Sequence, residues 1–330
     1  MNLPALYPLR FEPIFKSNLW GGRRLPAFLN RTHPTNDPIG EAWVLSDVEG
    51  QASRVSNGPL AGTTLRDLLA AAPQRLLGST RPVNGRFPLL CKFIDARQEL
   101  SVQVHPNDEQ AARKLPGGSG KTEAWVILDA DATSRVYAGF RPGITADAFR
   151  AAMRNNTAPA ALHAFTPKPG DCIFLEAGAV HAIGAGILLF EVQQTSDITY
   201  RLYDWDRVDA RTGRPRDLHV DEALAAADFA RGPCNPVIPM STNKDGVKRE
   251  RLVDCKYFAV DRLTADRRFT VGAANQCRIV VVLEANPRTE MEFHLGEGIS
   301  TGDVILIPAE VGESAIVPAG PVTVLEIRAS

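Results

Sequence analysis

Two histidines and a glutamate, each adjoining an apolar run, are the side chains of this sequence best suited to bind a metal ion. His105 ends the segment SVQVH, in which strand alternation places Ser101, Gln103 and His105 on one face and two valines on the other. Glu123 opens the apolar run EAWVIL and lies two residues after Lys121, so both side chains share a strand face. The apolar faces belong to a core, and the polar faces can do chemistry.

The third donor is His181, which lies in the apolar stretch AVHAI, where a buried imidazole needs a partner. If neighbouring strands present them together, His105, Glu123 and His181 form a set that suits Zn²⁺ and leaves a position for water or substrate. Gln103 can add a carbonyl oxygen, and Fe(II), Mn(II) or Co(II) would accept similar donors. Taken singly, each pattern also fits a water-facing strand, a solvated Lys–Glu pair or a hydrogen-bonded core histidine.

A second group of side chains is basic and predicts a pocket for an anion such as phosphate. Lys92 precedes Ser101 by nine residues on what we expect to be an adjoining strand, and Arg207 follows Arg201 in YRLYDWDR. Guanidinium and ammonium groups bind phosphate through charge-assisted hydrogen bonds. The alternative for Arg207 is a solvated charge on a loop.

Strands must position these groups, because extended apolar runs punctuated by turn residues dominate the chain. They predict strands at 87–95, 100–105, 122–128, 171–177, 186–194, 198–205, 276–285, 302–309 and 321–327. Helical patterns are few and short, and several open with a residue that can cap a helix. They cover 63–72, 107–115, 145–155 and 221–229. The chain is therefore predicted to be mainly β.

Two related domains are expected, joined within GPCNPVIPMS (232–241), which holds three prolines and has no periodicity. The run GDCIFL (170–175) is echoed by GDVILI (302–307), and the extended pattern resembles a conserved stretch of the cupin superfamily. Its histidine position is His181 in the first copy but Glu313 in the second. We therefore predict two cupin-like jelly-roll domains, a catalytic one at 1–234 with the metal site and one at 235–330 without metal ligands.

Composition excludes several classes of function. Thirty-seven basic and thirty-eight acidic side chains give a net charge of −1, so no overall field attracts nucleic acid or an anionic membrane. The five cysteines are odd in number, include no C-x-x-C pair and lie mostly in apolar runs, as expected for reduced residues of a cytoplasmic protein. No signal-peptide pattern or long apolar span is present, so we expect neither secretion nor membrane spanning.

Four motifs in order, SVQVHPND (101–108), GKTEAW (120–125), HAI (181–183) and EVQQTSDITYR (191–201), resemble the type I mannose-6-phosphate isomerase family in its short bacterial form. The resemblance spans about residues 13–207 and implies one Zn²⁺ per chain, held by Gln103, His105, Glu123 and His181. It implies a sugar phosphate as the small-molecule partner. Whether the chain is a monomer or a homodimer stays open.

The same resemblance implies roles for further residues. Arg201 corresponds to the family's active-site arginine, Lys121 precedes the metal-binding glutamate, and Trp20 in NLWGG corresponds to an N-terminal tryptophan that lines the pocket. The implied phosphate contacts are Ser101, Lys92 and Arg207. Asn18 and Leu19 stand where many longer members have a tyrosine–aspartate pair, so an acidic contact to the sugar is not supplied there.

The implied reaction interconverts mannose 6-phosphate and fructose 6-phosphate by moving a proton between C1 and C2 through a cis-enediol. Its barrier lies in removing a weakly acidic C–H proton and stabilising the enediolate oxygen, which a metal and Arg201 would address. We rank Glu191 first as the base, because it ends an apolar strand where desolvation raises a carboxyl pKa. Lys121, a metal-bound water and His105 remain alternatives.

Two other functions compete with the isomerase. A cupin oxygenase would use the two histidines and the carboxylate as an iron triad. It leaves Lys92, Ser101 and Arg201 without a role. A non-catalytic sugar-phosphate sensor would keep the metal and phosphate sites but lack the proton transfer.

Overall fold

A computed structural model of the chain describes residues 3–209, 212–292 and 298–330. The strands in these ranges are β1 Leu9–Arg10, β2 Ile14–Gly22, β3 Ile39–Leu45, β4 Asp47–Val48, β5 Gln51–Ala52, β6 Leu89–Ala96, β7 Val102–Val104, β8 Glu123–Ala130, β9 Val136–Phe140, β10 Leu162–Phe165, β11 Cys172–Leu175 and β12 His181–Ile183. They continue with β13 Ile187–Gln194, β14 Tyr200–Tyr203, β15 Met240–Lys244, β16 Val247–Asp254, β17 Phe258–Ala265, β18 Phe269–Gly272, β19 Arg278–Glu284, β20 Glu290–Met291, β21 Val304–Ile307, β22 Glu313–Val317 and β23 Val322–Ala329.

The helices are short, and those predicted from the sequence are confirmed. They are α1 Arg24–Phe28, α2 Leu65–Ala71, α3 Pro73–Leu77, α4 Asp108–Lys114, α5 Ala146–Arg154 and α6 Val220–Ala226, with two single 3₁₀ turns at Gly58–Leu60 and Ala158–Ala161. The side chains of Asn107 and Thr145, which open two of the predicted helices, cap α4 and α5, and Thr64, one residue after the predicted start, caps α2. The sequence pattern missed α1 and α3, and α6 ends three residues before the predicted boundary. No helix in the described ranges is long and apolar enough to cross a bilayer.

The strands form four main sheets, and neighbouring strands within each sheet are antiparallel. The orders are β10-β9-β12-β7-β14, β11-β8-β13-β6-β2-β3, β1-β21-β19-β23-β17-β16-β15 and β18-β22-β20. In the six-stranded sheet β6 also pairs with β3, and among the described residues each sheet keeps at least one strand with a free edge. The predicted fold class, mainly β with cupin-like domains and a few short helices, is confirmed by the similarity to solved structures reported below.

The sheets stack in layers, and apolar clusters fill the spaces between them. Side chains of the five-stranded and six-stranded sheets, among them Trp125 and Ile183, meet in one cluster. The other face of the six-stranded sheet packs on the seven-stranded sheet through residues such as Phe93 and Leu325. The three-stranded sheet covers the far side of the seven-stranded one, and α5 and α6 cover the outer face of the five-stranded one. The candidate site lies between the five-stranded and six-stranded sheets.

The sequence echo between the two halves corresponds to a repeated turn. Gly170 and Gly302 both have positive φ, 89° and 92°, a conformation that favours glycine. The aspartate that follows each glycine accepts a hydrogen bond of 2.8 Å from the backbone N–H three residues earlier: Asp171 from Lys168, and Asp303 from Ser300. The turns then deliver β11 and β21.

The N-terminal segment also takes part in the C-terminal sheet. Leu9 and Arg10 of β1 pair with Leu306 and Ile305 of β21, which lie far beyond the linker. The first residues of the chain therefore tie the two halves together, and the division at residue 234 stays a prediction.

Candidate metal centre and active site

The predicted metal donors His105, Glu123 and His181 lie together between the five-stranded and six-stranded sheets. The Nε2 atom of His105 is 3.5 Å from Glu123 Oε2, and that of His181 is 3.2 Å from Glu123 Oε1. One ligand atom from each of the three residues lies within 4.8 Å of the other two. All three residues are buried. The group has the composition and spacing of a metal-binding cluster.

Strand pairing explains how two of the donors meet. His181 in β12 pairs with Gln103 in β7, and His105 follows directly after β7. The valines of β7 face the helix-covered side, as the alternation predicts. Glu123 does not lie on a neighbouring strand, so that expectation is wrong: β8 belongs to the facing sheet, where Glu123 pairs with Gln193. Packing between sheets, rather than strand pairing, brings the carboxylate to the histidines.

Both imidazoles are held in the tautomer that a metal requires. The Nδ1 atom of His105 is 3.0 Å from the carbonyl oxygen of Ile198, and that of His181 is 2.9 Å from the carbonyl oxygen of Ala179. Since a carbonyl only accepts, each Nδ1 donates its hydrogen and each Nε2 carries the lone pair that faces the cluster. Burial lowers the pKa of His105 well below its ordinary value and that of His181 to about 4. Both rings are therefore neutral at pH 7.

Glu123 provides the test of whether a metal fits. Its two carboxylate oxygens are buried and neither accepts a hydrogen bond of acceptable geometry, although Oε2 lies 2.7 Å from the Lys121 ammonium nitrogen. Buried polar atoms are nearly always hydrogen-bonded, so two such oxygens on one side chain call for a ligand. With two imidazole lone pairs beside them, the donor set fits a divalent cation.

Gln103 is placed to be a fourth donor. Its amide Nε2 lies 3.3 Å from His181 Nε2. The nitrogen and oxygen of an amide are assigned from the hydrogen-bond network, and rotation about the last side-chain bond exchanges them. In the exchanged orientation Gln103 presents its oxygen where its nitrogen now lies.

A chain of charged groups leads from the metal donors to Glu191. The ammonium of Lys121 lies 3.0 Å from His105 Nε2 and 3.6 Å from Glu191 Oε1. Lys92 approaches the same oxygen at 3.3 Å, and Trp125 donates its indole N–H to the other oxygen at 3.0 Å. Burial, followed by the nearby Glu123 charge, raises the pKa of Glu191 although both lysines oppose the shift. A carboxylate with a raised pKa suits proton transfer near neutral pH.

Glu41 is a site residue that the sequence analysis missed. It accepts a hydrogen bond of 2.6 Å from the Trp43 indole, and its Oε2 lies 3.4 Å from the Lys92 ammonium. Burial lowers the pKa of Lys92, but Glu191 and Glu41 outweigh that effect and raise it overall. One signal could have revealed Glu41, because the tripeptide Glu-Ala-Trp occurs at 41–43 and again at 123–125.

Gln193 was missed as well. It is fully buried on β13, where strand alternation places it on the face of Glu191, and its Oε1 has no hydrogen-bond partner. Its pairing with Glu123 places it beside the metal donors. The amide nitrogen is held by the carbonyl oxygens of Gln194 and Ser196.

The predicted anion-binding side chains form two groups rather than one. Arg201 pairs with Gln103 across β14 and β7, and its Nε donates a hydrogen bond of 3.3 Å to Ser101 Oγ. Lys92 lies on β6 in the six-stranded sheet, whereas Ser101 precedes β7 in the five-stranded one, so their strands do not adjoin. Lys92 instead lies between Glu41 and Glu191.

Arg207 is not a solvated loop charge, because its side chain is 16% exposed. It ion-pairs with the buried carboxylate of Asp204 and donates to the carbonyl oxygen of Glu99. Arg216, which the sequence analysis did not single out, binds the same Asp204. These two arginines and Arg201 lie close enough for the positive charges of Arg216 and Arg207 to lower the Arg201 pKa, after the larger effect of burial.

Trp20 is 3% exposed and packs in the apolar cluster that includes Trp125. Its ring lies against Gly40, where a Cβ atom would come within 2.6 Å of the indole. A side chain at position 40 would therefore displace Trp20. This contact places the indole beside the strand that carries Glu41.

The known proteins that resemble this chain in sequence are mannose-6-phosphate isomerases. The catalytic-domain model of type I phosphomannose isomerase matches residues 9–139. The chain is 35% identical to mannose-6-phosphate isomerase ManA of Bacillus subtilis over 93% of this chain and 94% of the relative. It is 34% identical to the mannose-6-phosphate isomerase of Streptococcus mutans over 77% of each.

Solved structures share the fold of this chain. The mannose 6-phosphate isomerase from Bacillus subtilis superposes with a TM-score of 0.88 at 28% identity, covering 98% of this chain and 100% of that one. A structure from Archaeoglobus fulgidus, described as a putative mannosephosphate isomerase, shares the fold with a TM-score of 0.74 at 19% identity, covering 100% of this chain and 99% of that one.

Proposed function

Because this chain belongs to the type I phosphomannose isomerase family, we propose that it is an aldose–ketose isomerase that interconverts mannose 6-phosphate and fructose 6-phosphate through a cis-enediol. The observation that carries the proposal is the buried Glu123 carboxylate, whose unbonded oxygens face two imidazole nitrogens of fixed tautomer. This arrangement fits a catalytic metal site better than a core polar network. Family membership favours the isomerase over the oxygenase and the sensor.

The metal is Zn²⁺, one per chain, held by Gln103, His105, Glu123 and His181. Nitrogen and carboxylate donors match its preferences, and a set drawn from two sheets leaves the cavity side open. When bound, Zn²⁺ supplies Lewis acidity beside the oxygen on which negative charge develops. The carbonyl partners of His105 and His181 keep both lone pairs directed at that position.

The substrate phosphate binds at the arginine side of the cavity. Ser101 accepts a hydrogen bond from Arg201 through its hydroxyl oxygen, so its own hydroxyl hydrogen can turn toward a phosphate oxygen. Arg207, fixed by Asp204, adds positive charge on the same side. Lys92 reaches the substrate from the opposite sheet, and Trp20 supports the wall there.

Glu191 is the base that carries the proton between C1 and C2. Its Oε1 lacks a hydrogen bond, while the Trp125 indole fixes its Oε2, so one oxygen is oriented and the other is free to accept the proton. Lys121, 3.6 Å from that Oε1, stabilises the carboxylate and adds positive charge near the enediolate. Arg201 stabilises the same negative charge from the other sheet.

For the domains, the location and the partner of the enzyme, we propose what the sequence predicts. Residues 1–234 form the catalytic domain, and residues 235–330 form a cupin-like domain without metal ligands. All five cysteines are free, which supports a reducing, cytoplasmic environment. The partner is a small sugar phosphate, not nucleic acid or membrane, and the chain acts as a monomer or homodimer.

Metal analysis combined with a coupled assay tests this function. Purified protein should contain about one equivalent of zinc and convert mannose 6-phosphate to fructose 6-phosphate. Removal of the metal by a chelator should abolish turnover, and Zn²⁺ should restore it. Oxygen consumption with bound iron would favour the oxygenase, and metal binding with no turnover of any hexose phosphate would favour the sensor.

Replacement of Glu191 by Gln tests the base. The amide keeps the shape but accepts no proton, so kcat should fall by about 10²–10⁴ while KM changes little. The exposed Glu284→Gln on β19 is a matched control and should behave as the wild type. An E191Q enzyme with near wild-type kcat would transfer the role of base to Lys121 or another group.

A further inference from the structure

Asp108, at the start of α4, joins the segments that carry the site. Its Oδ1 accepts hydrogen bonds from the backbone N–H of Gly120 at 3.0 Å and from the Gln194 amide at 2.9 Å. Its Oδ2 accepts one from the Tyr257 hydroxyl at 2.7 Å. A carboxylate that receives three donors from three separate segments restrains all of them.

The segment of Asp108 and the segments of Gly120 and Gln194 each bear a proposed catalytic or metal-binding side chain close by. Asp108 itself follows His105 by three residues, and Gly120 precedes Lys121 and Glu123. Gln194 ends β13, three residues after Glu191. Short contacts between the segments reinforce this arrangement, because Gln194 Oε1 accepts the N–H of Thr122 and the carbonyl oxygen of Pro106 accepts the N–H of Lys121.

Tyr257 comes from the other half of the molecule. It lies in the turn between β16 and β17 of the seven-stranded sheet, 149 residues from Asp108. Its backbone carbonyl accepts the N–H of Ser330, which fixes the turn against the end of the chain. The neighbouring Lys256 also approaches Asp108, at 3.5 Å, but its side chain is 78% exposed and such pairs contribute little.

We propose that Tyr257 is a positioning residue for the metal site: acting through Asp108, it holds the His105 and Glu123 segments at the separation that one metal ion requires. The inference rests on the proposed function, since it assumes that these residues bind a metal. It also gives the C-terminal half, whose described residues supply no donor to the cluster, a role in the chemistry of the first half.

Metal affinity of the full-length Tyr257→Phe variant is the direct measurement. Phenylalanine fills the same space but donates no hydrogen bond, so Zn²⁺ should bind about tenfold more weakly, the lower end of the effect of outer partners of metal ligands. Competition with a chromophoric chelator measures this without substrate. At saturating zinc, kcat should fall while KM stays unchanged, because the phosphate contacts lie on the arginine side.

Two further variants separate positioning from general stability. Tyr7→Phe is the matched control: Tyr7 is buried, donates to the carbonyl oxygen of Asn57 and accepts from Leu60, yet lies outside the site. It should lower the melting temperature and leave zinc affinity unchanged. Asp108→Ala should weaken zinc binding more than Y257F, and adding Y257F to it should have no further effect on zinc affinity, because the tyrosine acts through that carboxylate.

The outcomes are distinct. Two results would overturn the inference: unchanged zinc affinity and kcat in Y257F, or an equal effect of Y257F on zinc affinity with and without Asp108. Turnover of mannose 6-phosphate by the wild type would still support the isomerase function in either case. A wild type that binds no metal would overturn both. Loss of zinc affinity in Y257F that disappears in the D108A background would support it.

Discussion

Two sets of acidic side chains in this molecule differ in how they are satisfied. In the cavity of the first half, both oxygens of Glu123 and one of Glu191 are buried without hydrogen bonds. In the seven-stranded sheet, Glu250, Asp261 and Glu326 are also buried, but each accepts hydrogen bonds. We call these three residues the C-terminal acidic set.

The pairing in that set is extensive. Asp261 accepts from Arg251 on one oxygen and from Arg249 on the other, the latter at 3.0 Å. Glu250 accepts from Arg262 at 2.8 Å, and Glu326 accepts the backbone N–H of Gly272 at 2.8 Å. A buried carboxylate whose oxygens accept hydrogen bonds is a completed structural contact. One whose buried oxygens accept none, even beside an ammonium group such as that of Lys121, indicates a missing ligand. The comparison therefore distinguishes a structural charge network from a metal site without reference to sequence similarity.

Replacing Glu123 should have the largest effect on metal binding and turnover. Glu123→Gln removes the negative charge that a divalent cation needs, so bound zinc should be lost on dialysis and kcat should fall at least about a thousandfold, since Lewis-acid stabilisation is worth several kcal/mol. Metal content and turnover measure this directly. Thermal unfolding adds a second measurement, because a metal that binds only the folded state stabilises it.

The chelator gives the internal control for this variant. It should lower the melting temperature of the zinc-loaded wild type and leave that of E123Q unchanged. If E123Q retained zinc and responded to the chelator as the wild type does, the unbonded oxygens of Glu123 would not be metal ligands, and the contrast between the two sets would lose its meaning.

Asp261 should show the opposite behaviour. Asp261→Asn leaves two arginines without their shared carboxylate, and breaking a buried ion pair costs about 3–5 kcal/mol. We expect about 2 kcal/mol at pH 7, because the Arg249 and Arg251 side chains are 46% and 34% exposed and water compensates part of the loss. Denaturant unfolding of the zinc-loaded protein measures it. Zinc affinity should stay at the wild-type value, and a weakened zinc site would show that the two sets are coupled.

Much of the metal centre could be predicted because it depends on local geometry. Strand alternation puts Gln103 and His105 on one face, and the pairing of β7 with β12 adds His181. The cap residues of α4 and α5 were predictable for the same reason, since a cap acts within three residues. The facing position of Glu123 was not, because packing between sheets leaves no periodic trace in the sequence.

The repeated Glu-Ala-Trp tripeptide illustrates this limit. In β3 the Trp43 indole donates to Glu41 of its own strand, whereas in β8 the Trp125 indole donates to Glu191 of the next strand. The same three residues thus give Glu41 an indole donor from its own strand and give Glu123 none. The bond between Asp108 and Tyr257 is equally invisible in the sequence, because it joins residues 149 positions apart.

The smallest effect concerns Glu250 and depends on pH. Its hydrogen bonds with Arg262 and Lys248 lower the pKa of Glu250 to about 2, the bond with Arg262 contributing most. A carboxyl with a depressed folded-state pKa stabilises the protein above its unfolded pKa of about 4.3 and loses that contribution as the pH falls through the folded value. Glu250→Gln should therefore cost about 1.5 kcal/mol at pH 7, a typical value for a hydrogen bond to a charged group.

The difference between wild type and E250Q should shrink between about pH 5 and pH 2, because protonation makes the wild-type side chain neutral like the amide. Urea unfolding across this pH range measures the difference. If the difference in unfolding free energy stayed constant down to pH 2, the charge of Glu250 would contribute nothing to stability. Its contact with Arg262 would then stabilise the protein only through packing. In that case a full set of hydrogen bonds would not by itself show that a buried carboxylate stabilises the fold, and the contribution of each residue of the C-terminal acidic set would have to be measured separately.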